Sequence, residues 1–144
     1  MAREERSAGV VLFRADPDSP GGRVFLLLDY GRYWDYAKGH VEPGEDDLTA
    51  ALRELREETG ITDAAVLPNF RHDITYFFRD RKKGLIRKTV TFFLASTSAT
   101  EVTLSHEHVG YDFLPFDQAL TRLNYPNAKA TLQAAQDHLA RSAA

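Results

Sequence analysis

Cysteine is absent from this 144-residue chain, which excludes disulfides, thiolate metal sites and a cysteine nucleophile together. Long apolar runs are lacking as well. The charged amino terminus, Met1 to Ser7, leads only into Ala8 to Phe13, far short of the roughly 20 residues that span a bilayer. A cytoplasmic protein with no membrane partner is expected. Charge of one sign is also missing: the net charge of −3 argues against a protein that coats nucleic acid through bulk electrostatics. No stable nucleic-acid partner is expected, and any phosphate binding has to be local. Internal repeats and low-complexity segments are not found. What remains is 43% hydrophobic and 27% charged, ordinary for a globular protein, in a chain long enough to bury a core. One domain over 1–144, acting as a monomer, is the expectation.

Hydrophobic patterning divides the chain. Ala8–Phe13 and Arg23–Tyr30 are β-branched and aromatic runs separated by the turn formers Asp16 to Gly22, which predicts two strands. Gly31 to Asp46 has no regular period and reads as a structured loop. From Asp47 to Thr59, Leu48, Ala51, Leu52 and Leu55 recur at helical spacing, and Gly60 follows as a C′ residue. Arg71–Phe78 and Ile86–Ala95 read as strands flanking the basic turn Arg79 to Gly84, and Val109–Leu114 as a shorter strand. Asp117–Leu123 and Asn127–Ala140 have helical patterning, broken at Tyr125-Pro126. Strands before, between and after the helical regions predict an α/β (α+β) fold, a mixed central sheet with helices on both faces.

At about 100° per residue, Glu54, Glu57 and Glu58 share one side of the central helix and the leucines occupy another. The acids are close enough to repel, and a divalent cation bound by carboxylate oxygens would relieve that repulsion. An isolated acidic helix would read instead as a solvated face, with Arg53 and Glu57 an ordinary i,i+4 pair. The preceding loop changes the balance. Lys38-Gly39-His40-Val41-Glu42-Pro43-Gly44-Glu45 joins two glycines, a proline and a lysine without hydrophobic period, a composition that lets backbone approach a ligand closely.

Read as one unit, Gly39, five residues, Glu45, seven residues and then Arg53-Glu54-Leu55-Arg56-Glu57-Glu58-Thr59-Gly60-Ile61 matches every specified position of the Nudix signature. The chain thus resembles the Nudix hydrolases. That resemblance implies an α/β/α sandwich in which a loop–helix–loop holds magnesium, or manganese, against a diphosphate. It further implies that Glu54, Glu57 and Glu58 are metal ligands, that Glu54 or a loop acid aids deprotonation of water, and that Arg53 orients the acids through an ion pair, for instance to Glu45. The ions would neutralise nonbridging oxygens and acidify the attacking water, with no covalent intermediate.

Two stretches resemble asymmetrically cleaving diadenosine tetraphosphate hydrolases within that family: Lys38 through Asp47, and Leu104-Ser105-His106-Glu107-His108 followed by Tyr111. The likeness continues more loosely through Ala119 to Leu139. It implies hydrolysis of a dinucleoside polyphosphate to ATP plus AMP. By residue, it implies that Lys38 and Lys88 contact phosphate, that Glu107 reaches the metals from the opposite side as ligand or base, and that Tyr76 and Tyr125 line the nucleotide site. It also implies that Gly39 and His40 belong to the substrate-binding loop, with His40 either contacting substrate or making a structural hydrogen bond. Two positions depart from the pattern: Ala37 stands where a proline commonly precedes the lysine, and Tyr33 where related animal enzymes tend to carry histidine. An RNA 5′-pyrophosphohydrolase would use the same chemistry but should carry a longer basic track than Arg79 to Arg87. A noncatalytic nucleotide sensor generally loses acids from the signature, and this chain keeps them. A purely structural domain leaves the acid cluster unexplained.

Overall fold

The computed structural model describes residues 2–142. The first strand, β1 (Arg3–Ala15), is the centre of the sheet. It begins earlier than Ala8 because Arg3 to Ser7 pair with the parallel strand β7 (Gly84–Ser96) along the whole register from Arg3–Ile86 to Phe13–Ser96. On its other edge β1 meets β4 (Ala37–His40) through Ser7 to Val10 and β2 (Arg23–Asp29) through Phe13 to Ala15, both antiparallel. Beyond β2 lie β3 (Trp34–Asp35) and β8 (Gly110–Leu114). Beyond β7 lie β6 (His72–Asp80) and the two-residue β5 (Ala65–Val66). The sheet is mixed, as expected.

One expectation fails at Gly31 to Asp46, which is not loop throughout: β3 and β4 lie inside it. Neither has an alternating pattern long enough to register as a strand. Their backbone groups are satisfied by pairing to β2 and to the middle of β1, a non-local gain invisible in the local sequence.

Alternation along β1 sends Ala8, Val10 and Leu12 to one face and Val11 and Phe13 to the other. The first face packs against α1 (Asp47–Thr59) through Ala50, Ala51 and Leu55. The second packs against α2 (Phe116–Arg122) and α3 (Pro126–Ser142) through Ala119, Leu123, Leu132, Ala135 and Leu139. Leu55 is 1% exposed, and a buried leucine of this kind contributes about 2–5 kcal/mol relative to alanine. Leu48, assigned to the packing stripe by spacing, is instead 37% exposed, and Ala50 takes its place in the core. At this first turn the helix meets charge as well, since the Arg6 and Arg71 guanidiniums both pair with Asp47.

The ends of α1 are fixed locally. Asp46 is the N-cap, its carboxylate accepting from the Thr49 amide at 2.8 Å, and Gly60 ends the helix at φ +74°, its N–H donating to Arg56 O. These caps hold the register of the acidic face against β4.

Candidate active site

The acids of α1 meet the sheet where β4 crosses its edge. Gly39 makes room there: a Cβ at this position would displace the Glu54 carboxylate. The Lys38 N–H donates to Glu58 Oε1 at 3.0 Å, so the same strand that Gly39 thins also hydrogen-bonds the buried acid. Glu58 is 5% exposed, whereas the Glu57 side chain is 55% exposed. Three acids expected to share a presented face therefore occupy three environments. Helical angle sets their direction, and β4 decides which of them is covered.

Arg53 organises the remaining charges. Its Nε donates to Glu45 Oε2 at 2.7 Å and its Nη2 to Glu45 Oε1 at 3.0 Å, a bidentate pair. Nη2 also donates to the His40 carbonyl at 2.9 Å, and Nη1 lies 3.2 Å from both Glu54 Oε1 and Glu57 Oε2. One guanidinium thus ties the loop, the Gly39 strand and two acids into a single unit, and the bond to Glu45 raises its own pKa further. The expected ion pair between Arg53 and Glu45 is present.

Glu58 lies outside this net. Burial pushes its pKa up to about 8; the Lys38 amide opposes the shift, and repulsion from Glu54 and Glu107 adds to it. Burial likewise raises Glu54, with Arg53 pulling down and Glu57 and Glu107 pushing up. Glu107, on the turn between the Val102 region and β8, is therefore close enough to sense both helix acids, although 49 or more residues separate it from them in sequence. Among the described residues, no three histidine or carboxylate side chains converge tightly enough to hold a metal ion as they stand. The donor chemistry nevertheless fits a divalent cation: hard oxygens, partly desolvated, mutually repelling and short of positive charge around Glu58.

Beside the acids, on the α3 face, opens a cavity of about 470 Å3 lined by Tyr33, Lys38, Ile74, Tyr76, Phe92 and Tyr125, among others. Tyr36 positions it. Its ring is fully buried against Phe92, and its hydroxyl donates to the Ala128 carbonyl at 2.6 Å, tying the β3–β4 connection to the first turn of α3. Lys38 and Tyr125 both line the cavity. Burial alone would lower the Lys38 pKa, but the pair to Asp35 Oδ2 at 3.0 Å outweighs it and raises the value, so the ammonium is charged. Lys88 sits two strands away, opposite Tyr76 in the β6–β7 ladder, and burial lowers its pKa against the pull of Glu5.

Of the residues singled out from sequence, the structure gathers Lys38, Tyr76 and Tyr125 around the cavity and Glu54, Glu57, Glu58, Arg53 and Gly39 at the acidic edge. Lys88 and Glu107 border these groups. His40 contributes its carbonyl to Arg53, while its residue surface faces solvent. Two of the five flanking basic hairpin residues are spent on surface pairs, Lys83 with Glu5 and Arg87 with Glu4. Sequence reading missed Ile74, Phe92 and Asn127 as cavity walls; the alternation that puts Ile74 on the same strand face as Tyr76 was the available signal.

Comparison with known proteins agrees with this geometry. The mouse protein called bis(5′-nucleosyl)-tetraphosphatase (asymmetrical) is 38% identical over 89% of this chain and 90% of its own length. The pig protein of the same name is 36% identical over 96% of this chain and 98% of its own. The crystal structure of a Caenorhabditis elegans Ap4A hydrolase binary complex superposes with a TM-score of 0.81 at 29% identity, covering 95% of this chain and 98% of that one. With the NUDIX domain model matching residues 3–134, the acidic helix, its glycine strand and the mixed sheet that carries them place this chain in the NUDIX family.

Proposed function

We propose that the protein hydrolyses dinucleoside polyphosphates, diadenosine tetraphosphate above all, to ATP plus AMP, with magnesium, or manganese in its place, as cofactor. The observation that carries the reading is the adjacency of two unlike sites: an oxygen-rich acid cluster short of positive charge, and an aromatic cavity with a charged lysine in its wall. A nucleotide has the same two parts, a π-surface and a chain of anionic oxygens. The near full-length likeness to proteins named for this reaction supports the same substrate class. We also take the chain as one domain acting as a cytoplasmic monomer; among the described residues no helix is long and apolar enough to cross a membrane.

Glu54, Glu57 and Glu58 would hold the cation, with Glu107 approaching from the far side. When bound, the cation supplies charge neutralisation on the phosphate oxygens and acidifies water. Arg53 keeps Glu45 and the helix acids oriented. Tyr76 and Tyr125, with Tyr33 beside them, hold a nucleobase by stacking, which every purine face permits. Lys38 releases Asp35 to meet a phosphate, and Lys88 lies farther along the same face. Water adds to an end phosphorus, the acid cluster takes its proton, and the phosphoanhydride bond to the leaving polyphosphate breaks. Positioning and electrostatics suffice for this displacement, without a covalent intermediate.

The test is incubation of the protein and of Glu58→Gln with diadenosine tetraphosphate, magnesium and oxygen-18 water. ATP plus AMP, label in AMP, and collapse of the rate in the variant are expected. Two ADP molecules would refute the cleavage mode. Turnover of a triphosphorylated RNA with an inert dinucleotide would point to RNA processing, and tight nucleotide binding without turnover to a sensor.

A further inference from the structure

Between the aromatic cavity and the Glu107 turn runs an unbroken line of rings. Tyr125, on the outer wall, meets Tyr33 edge to face at 5.4 Å between centroids. Tyr33 stacks on Tyr30 at 5.0 Å with only 4° between the planes. Tyr30 meets the His108 imidazole at 4.4 Å and 74°. His108 is the neighbour of Glu107, and its Nδ1 is 3.1 Å from Ser105 Oγ, the atom toward which the Glu107 amide is also directed at 3.4 Å.

The line is anchored in its middle and exposed at its outer, Tyr125 end. The Tyr30 hydroxyl donates to the Tyr36 carbonyl at 2.6 Å, and the Tyr30 amide to the Tyr33 carbonyl at 2.9 Å, closing the turn that presents both rings. By contrast Tyr125 is 53% exposed; at the other end His108 is itself buried, and it is its neighbours Glu107 and Val109 that are exposed. The Glu107 turn is tied to the rest of the fold through the Val109 amide, which donates to the Asp29 carbonyl at 2.9 Å, at the base of the same tyrosine turn. His108 Nε2 is buried with no hydrogen-bond partner among the described residues, so ring packing against Tyr30, not hydrogen bonding, holds that side of the imidazole. Stacked rings resist shear and tilt, and a ligand that fixes one end of such a line lowers the entropy of ordering the other.

We infer that Tyr30 and Tyr33 are positioning residues: a nucleotide stacked in the cavity immobilises Tyr33, and through Tyr30 and His108 orders the turn that aims Glu107 at the helix acids. This rests on the proposed nucleotide hydrolysis for its kinetic arm and on nucleotide binding alone for its structural arm. A nucleobase would thus accelerate cleavage as well as anchor the substrate. A polyphosphate lacking the base would meet a complete set of helix acids but a loosely held Glu107.

The structural arm uses intact protein in EDTA and measures hydrogen exchange of the segment from Ser105 to Gly110 with and without ATP as probe. ATP is expected to slow exchange there roughly tenfold in the wild type and to leave it almost unchanged in Tyr33→Ala, at ATP concentrations that saturate each protein. The kinetic arm predicts that Tyr30→Leu lowers kcat by roughly tenfold or more with KM within about threefold, and that Tyr30→Phe, which keeps the ring, restores most of the loss. Glu107→Gln added to Tyr30→Leu should then cost much less than it does alone, because both remove one contribution. ATP-induced protection that survives in Tyr33→Ala, or multiplicative losses in the double variant, would overturn the inference. Absence of dinucleotide turnover by the wild type would refute the functional reading instead, and the exchange experiment would still decide the coupling.

Discussion

The acid cluster and the aromatic cavity stand side by side, yet the first is encoded almost wholly between Gly39 and Ile61, while the second draws on Tyr33, Ile74, Phe92 and Tyr125. Their energetics differ as much. The acids are frustrated: Glu54 and Glu58 are desolvated among like charges, and relief awaits a cation. The cavity is settled, with Lys38 paired to Asp35 and Tyr36 pinned to Ala128. Stored electrostatic strain marks the side on which chemistry is expected, and a satisfied, open wall marks the side that recognises.

That contrast breaks most sharply at Glu58. Glu58→Gln should lower kcat by about 10³-fold or more, since it removes the buried carboxyl proposed to hold the cation, yet raise the thermal stability of the metal-free protein above about pH 8, since it removes a carboxyl whose ionised form burial penalises. Steady-state kinetics and a melting curve in EDTA read the two effects together. A variant that lost both activity and stability would show that Glu58 is an ordinary structural acid. Gly39→Ala tests the same edge sterically: its Cβ displaces the Glu54 carboxylate, so kcat should fall by about 10²-fold while ATP binding in EDTA is little changed.

On the cavity side the effect should be smaller and of a different kind. Tyr125→Ala removes a wall that is half exposed and belongs to no core cluster, so a rise in KM of roughly tenfold with a modest fall in kcat is expected. Equal losses in kcat and kcat/KM, with KM unchanged, would mean that Tyr125 acts in the transition state and not in base recognition.

The difference also explains what could be read from the sequence. Asp46, Gly60 and the leucine period specify α1 locally, and the acids fall on it at fixed angles, so the helix and its chemistry were legible. The burial of Glu58 was not, because it depends on β4, a strand of four residues formed only by pairing with β1. Tyr76 and Tyr125 came from resemblance. Phe92 and Ile74 look like ordinary core strand residues, and only the tertiary fold leaves them facing a cavity. Leu48 shows the converse failure, a position at the core spacing of the helix that is left 37% exposed.

The pH response sharpens the contrast further. The Glu58 carboxyl moves from an ordinary 4.5 to about 8 on folding, so between these values the folded chain binds more protons than the unfolded one. The stabilising contribution of this raised acid is complete below 4.5 and is lost as pH climbs through 8. Melting temperature in EDTA should therefore decline across that window. Glu58→Gln should flatten the decline, and magnesium should oppose it by favouring the ionised acid. A slope identical in wild type and variant would assign the pH dependence elsewhere.

The smallest expected effect lies at Gly60, where the chemistry depends on a helix end. Its φ of +74° is left-handed, a region in which a Cβ costs about 1 kcal/mol, and that Cβ would come no nearer than 3.4 Å to Thr103. Gly60→Ala should then lower Tm by about 2–4 °C, the backbone penalty without a clash. Activity distinguishes two views of the cap. If Gly60 only ends the helix, kcat per folded molecule stays near the wild-type value. If it sets the depth at which Glu58 enters beneath β4, kcat falls more than stability does, and the metal-free decline between pH 4.5 and about 8 shifts with it. The 2.8 Å bond from the Gly60 amide to Arg56 O, which closes the turn containing Glu57 and Glu58, favours the second outcome.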